Sequence, residues 1–132
     1  MVDTHLTYTR DDARRRITVT IVGPARLEDL TAVIERQAAE DVWQYAMLYD
    51  VRAVAAPLSV DATRRLVTLV AQLTLAHGER GPVAIVCRSI EEFGMARMYS
   101  LLAESRANLD SNVFFELADA AVWLRDRMEA TT

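Results

Sequence analysis

The chain has 132 residues, a length that supports one domain spanning 1–132 with one ordinary core. Its 52% hydrophobic and 26% charged residues exclude a disordered tail, a collagen-like fibre and a disulfide-stapled miniprotein. The net charge of −4, from 19 acidic and 15 basic residues, gives no overall field favouring nucleic acid or an anionic membrane.

Residue types narrow the chemistry further. Every basic residue is arginine, so Schiff-base chemistry, pyridoxal phosphate attachment and the lysine of a P-loop are excluded. Cys87 stands alone and cannot form an internal disulfide. With only His5 and His77 beside it, no metal cluster is expected, and a reducing cytoplasm fits. Residues 1–10 are polar and lack the apolar core of a secretion signal, and no stretch reaches the roughly 18 apolar residues of a membrane span. A cytoplasmic location is expected. Peripheral membrane contact has no sequence feature behind it.

In chain order, residues 6–9 predict a short strand, and a charged turn leads to a second strand over 17–22, where Ile17, Val19 and Ile21 alternate with Thr18 and Thr20. These two form a hairpin. Gly23 and Pro24 break the second strand, and Leu27, Leu30, Ile34 and Ala38 then recur at helical spacing to about Asp41. Residues 45–51 are apolar on both parities, as in a central strand covered on two faces. After Pro57 and Ser59 comes a helix carrying Leu66, Leu69, Val70, Leu73 and Ala76, stopped by His77 and Gly78. Residues 83–87 predict a strand, 91–105 a helix and 113–117 a last strand, and Asp119 opens a terminal helix with Trp123 and Leu124.

The order ββαβαβαβα implies an α/β fold with parallel neighbours joined by right-handed crossovers and an antiparallel strand at the N-terminal edge. If the sheet follows chain order, the crossover helices all lie on one face. Yet Ala46, Leu48, Ala84 and Val86 are apolar on one parity, while Met47, Tyr49, Val51, Val83, Ile85 and Cys87 are apolar on the other. The second face therefore needs a cover, whether the terminal helix, a second protomer or an apolar ligand. A homodimer is expected on this ground.

In open α/β sheets ligands bind beyond the carboxyl ends of the strands, here segments 23–29, 50–61, 88–93 and 116–119. These loops carry three arginines against eight acids, so the rim is acidic. Most of the acids sit at helix starts, where complementing the helix dipole accounts for them without catalysis. The four glycines build no phosphate cradle. Ser59 is placed as a helix N-cap, and phosphorylation there would change the surface by nearly two charges. No GxSxG elbow accompanies it, and neither histidine is placed beside it, so serine-hydrolase chemistry is not supported. Phe93, Met95, Arg97, Met98 and Tyr99 open a helix as a core-facing surface or as an adaptable apolar pocket with Arg97 at its edge. Trp43 and Trp123 read as packing residues.

The element order, the strand end Leu48-Tyr49-Asp50-Val51-Arg52, the run FGMARMYSLL from Phe93 and the ending VFFELADAAVWL together resemble the small bacterial SpoIIAA-like proteins, grouped with STAS and SEC14-like domains. The likeness runs from about Tyr8 to Leu124. It implies a five-stranded, mostly parallel sheet in chain order, a non-enzymatic role and frequently a dimer. The resemblance to anti-sigma-factor antagonists implies that Ser59 matches the phosphorylatable serine of their D-S-x-G-type segment, although this chain reads Pro57-Leu58-Ser59-Val60-Asp61 and lacks both the acidic residue before the serine and the glycine after it. The resemblance to SEC14-like domains implies a nonpolar molecule held against the sheet. The sequence is thus expected to encode a binding module for a nonpolar small molecule, a lipid or a protein partner, with no cofactor and no metal. Its candidate binding residues are Asp50, Arg52, Phe93, Met95, Arg97, Met98 and Tyr99. Ser59 is the candidate phosphorylation site, and an enzyme using the acidic rim is the remaining alternative.

Overall fold

The structure, a computed structural model, describes residues 3–130. Strands β1 (His5–Asp11), β2 (Arg16–Pro24), β3 (Ala46–Ala56), β4 (Val83–Val86) and β5 (Ser111–Phe114) form one sheet in chain order. β1 is antiparallel to β2, and the remaining pairs are parallel. The connections carry α1 (Leu27–Ala39), α2 (Val60–His77) and α3 (Ile90–Ala107), and α4 (Leu117–Ala130) closes the chain.

The alternation read from the sequence sets the faces. Ile17, Val19 and Ile21 of β2 join Met47, Tyr49, Val83 and Ile85 in a core between the sheet and the crossover helices. Ile34 and Ala38 of α1 pack with Leu66 and Val70 of α2 around Trp43. On the opposite face, Ala46, Leu48, Ala84 and Val86 are buried under Ala120 and Leu124 of α4, with Phe114 and Trp123 at its margin. Of the three covers the second face admitted, the structure uses the terminal helix. The part that α4 leaves open, over β1 and β2, carries Thr7, Thr9, Thr18 and Thr20 and can face water. The homodimer expected from an uncovered face thereby loses that physical basis.

Three boundaries differ from the sequence reading. Gly23 and Pro24 lie within β2 because Gly23 takes a positive φ of 95° at a register shift and passes close to the N-terminal chain. A Cβ there would lie 2.7 Å from the Asp3 carbonyl oxygen. β3 continues to Ala56, beyond the expected end at Val51, because β2 runs on beside it through Gly23↔Val54 and Pro24↔Ala56. β4 pairs with β3 only as far as Asp50, so residues 51–56 form a two-stranded arm with the end of β2. The last strand lies earlier than expected, over Ser111–Phe114, and α4 already begins at Leu117. Asp119 therefore sits inside the first turn, where its carboxylate complements the dipole instead of capping.

Candidate functional site

Between the arm, the sheet and the first turns of the crossover helices lies a cavity of ≈ 130 Å³, open at one side. Ile21, Val51 and Val54 line it from the strands, Leu30 and Ile34 from α1, Leu66 from α2, and Met95 and Ala96 from α3. Pro57 and Leu58, leading from the arm into α2, complete the wall. The polar side chains on the wall are already engaged or lie at its ends. Thr63 Oγ1 donates to the Ser59 carbonyl oxygen at 2.9 Å. Glu92 Oε2 accepts from the Arg88 and Ser89 backbone N–H groups at 3.0 and 2.9 Å.

Glu92 is held there by local sequence. Ser89 caps α3, its Oγ accepting from Glu92 N at 3.2 Å while the Glu92 carboxylate reaches back, which is a capping box. The Ser-x-x-Glu spacing at 89–92 signals this arrangement in the sequence. Glu92 thus anchors the helix that carries Met95, Ala96 and Tyr99 across the cavity.

At the inner end of the cavity stand Tyr49 and Tyr99. Burial pushes the Tyr99 hydroxyl up to about 12, against the pull of Arg80. Behind them is Arg80, only 7% exposed. Its Nε donates to Gln37 Oε1 at 3.0 Å, and its Nη2 lies 3.3 Å from Tyr49 Oη and 3.2 Å from Met47 Sδ. The guanidinium also stands 5.0 Å from the Trp43 ring centroid. Gln37 is spent elsewhere, its Nε2 donating to the carbonyls of Val42 and Trp43 at 3.1 and 3.3 Å. The next residue, Gly81, packs its backbone directly against the Gln44 and Tyr45 carbonyls, leaving no room for a side chain. Neither Arg80 nor Gln37 was singled out by the sequence. An arginine between two glycines resembles a solvated turn, and its burial is created by contacts more than 30 residues distant.

The residues singled out by the sequence are divided by the structure. Met95 and Tyr99 line the cavity. Phe93 packs on the core and stacks on Phe115 with ring centroids 5.0 Å apart, while Met98 is half-buried away from the cavity wall and Arg97 is exposed. Asp50 and Arg52 pair with each other, Arg52 Nη2 donating to Asp50 Oδ2 at 2.8 Å, and this partner holds the Asp50 carboxyl below its usual range. Ser59 is exposed at the start of α2, its Oγ accepting from Ala62 N at 3.1 Å. Cys87 is buried, and burial pushes its thiol up to about 11, with Glu92 adding to the rise. Among the described residues no cluster of three potential ligands could hold a metal ion, and no helix is long and apolar enough to cross a membrane.

Solved structures share this architecture. An uncharacterised protein of the DUF3478 family from Shewanella loihica PV-4, described as having a SpoIIAA-like fold, superposes with a TM-score of 0.59 at 20% identity, covering 92% of this chain and 93% of its own. The fold is SpoIIAA-like. An anti-sigma factor antagonist from Mycobacterium paratuberculosis matches this SpoIIAA-like chain equally, with a TM-score of 0.59, 18% identity and coverage of 94% and 96%. No family profile and no curated protein matches the sequence.

Proposed function

We propose that this SpoIIAA-like protein is a non-enzymatic binding module that holds a small nonpolar molecule in the cavity between the sheet and α1–α3. The observation that carries this reading is the cavity wall itself, built from aliphatic side chains whose few polar neighbours are engaged in capping and packing. An apolar cavity near 150 Å³ stays dry and accepts a molecule the size of benzene. The space of ≈ 130 Å³ here suits a body of that size, with its far end at the open side. Nothing on the wall supplies a nucleophile beside a base, which favours holding a molecule over transforming it.

Titration with toluene, followed by backbone amide shifts, tests this directly. Shifts centred on the wall residues of the arm and of α1, α2 and α3 are expected, and Met95→Glu is expected to lower affinity by at least about tenfold while changing stability little, because Met95 is only half-buried. Equal losses of affinity and stability would make Met95 an ordinary core residue.

A second reading is favoured by the exposed position of Ser59 at the start of an 18-residue helix. Phosphate on Ser59 would meet the positive end of α2 and alter a surface offered to a protein partner, in the manner suggested by the anti-sigma factor antagonist that shares the fold. Mapping phosphosites on protein from its own cells tests it, and an unmodified Ser59 across growth conditions would remove it.

A further inference from the structure

The inner end of the cavity carries an unbalanced charge. Arg80 Nη1 is buried and has no hydrogen-bond partner, and no carboxylate among the described residues pairs with this guanidinium. Arginine does not lose its proton in a protein, so the positive charge remains. The groups around it are neutral: Gln37 Oε1, Met47 Sδ and Tyr49 Oη accept from it, and the Trp43 ring lies beside it. Tyr49 Oη accepts from Arg80, so its own hydroxyl proton is available to an acceptor, and Tyr99 lines the same cavity. Two phenols on a largely aliphatic wall are thus backed by a buried cation that has no anion of its own.

From this juxtaposition we infer that the nonpolar molecule carries a carboxylate, seated at the Tyr49–Tyr99 end and offset by the charge of Arg80. The inference rests on the proposed reading of the cavity and adds the headgroup and its direction. A carboxylate accepts from hydroxyl and guanidinium donors, and its attraction to a buried cation is screened far less than at the surface. The opposite orientation is disfavoured. Elsewhere on the wall the first turn of α3 presents Glu92, and an anionic head beside it would meet like charge. Arg80 itself does not line the cavity. It stands one tyrosine behind the wall, so Tyr49 and Tyr99 make the direct contact and Arg80 supplies the field.

Four probes of one ring size separate the possibilities: toluene, benzyl alcohol, benzoate and benzylamine, each titrated into the wild-type chain. Benzoate is expected to bind at least about tenfold more tightly than benzyl alcohol, as a charge-assisted contact with a desolvated cation should. A double variant, Tyr49→Phe with Tyr99→Phe, keeps the aromatic rings of the wall and is expected to lower benzoate affinity at least about tenfold more than it changes toluene affinity, so that the ratio between the two probes carries the test. Arg80→Gln should do the same, and the double variant serves if that substitution prevents folding. Toluene binding with no benzoate preference would overturn the carboxylate inference and leave the apolar reading intact. Tighter binding of benzylamine would overturn it in favour of a cation beside Glu92. Failure of all four probes would refute the reading of the cavity itself.

Discussion

Ala96→Leu offers a sharp test of whether the space beside α3 is real. Ala96 sits on the cavity wall within α3, and a leucine there would project into the ≈ 130 Å³ hollow. Three added carbons at about 0.8 kcal/mol per buried CH₂ set a ceiling near 2.4 kcal/mol. Freezing the leucine rotamers takes back about 0.5–1 kcal/mol, and the change in helix propensity is a few tenths. A net gain of about 1–1.5 kcal/mol follows, or roughly 4–6 °C in Tm for a domain of this size. Urea and thermal denaturation measure it, and the same sample titrated with toluene should show binding lost as stability rises. If the hollow were already filled, overpacking would instead destabilise the domain by about 1–3 kcal/mol. A fall in Tm with toluene binding retained would refute the reasoning.

Other perturbations check the parts of the fold that hold the site. Leu124→Ala, on the buried side of α4 against the second face, should cost about 2–5 kcal/mol, while Leu75→Ala at a 90% exposed position should stay within about 0.5 kcal/mol; near-equal urea midpoints would deny α4 its role as the cover. Cys87, buried and with its thiol near 11, should resist a disulfide-forming thiol reagent at pH 8 until the chain is unfolded, and stoichiometric labelling of the native protein would contradict that placement. The Asp50 carboxyl is depressed by Arg52, so its contribution is complete above the ordinary carboxylate range and is lost as pH falls through the folded value. Asp50→Asn should therefore lower stability by about 0.5 kcal/mol at pH 7, a small figure because Arg52 is largely solvated, and the gap should narrow as pH falls below the ordinary carboxylate range. A gap that persists at low pH would show that packing rather than charge sets it.

What the sequence disclosed depends on how far each signal reaches along the chain. The alternation of Ile17, Val19 and Ile21 and the helical spacing of Leu27, Leu30, Ile34 and Ala38 are local, and the structure places them in the core and along one helix face. The face taken by α4 was not legible in this way, since no strand follows it and no crossover rule fixes its side. The overrun of β3 was hidden because Arg52, Ala53, Ala55 and Ala56 lack a strand pattern of their own and depend on the continuing edge of β2. Within the site, Met95 and Tyr99 could be found from helical spacing. Arg80 could not, because the partners that surround it, Gln37, Met47 and Tyr49, lie more than 30 residues away in the chain.

The same overrun explains why a hollow exists at all in a sheet with helices on both faces. β4 leaves the ladder opposite Asp50, whereas β3 continues six residues further to Ala56, an extension of about 20 Å at strand rise. α3 therefore starts close to the end of β4, while the chain entering α2 must return from the tip of the arm through Pro57 and Leu58. The two helices meet the sheet from different heights, and neither covers the surface between the arm and the first turns of α3. Met95 and Ala96 reach only part of the way across it. The cavity is thus a consequence of backbone register as well as side-chain size. Substitutions such as Ala96→Leu can fill it without moving its walls, so they distinguish the stability of the fold from its capacity to hold a molecule.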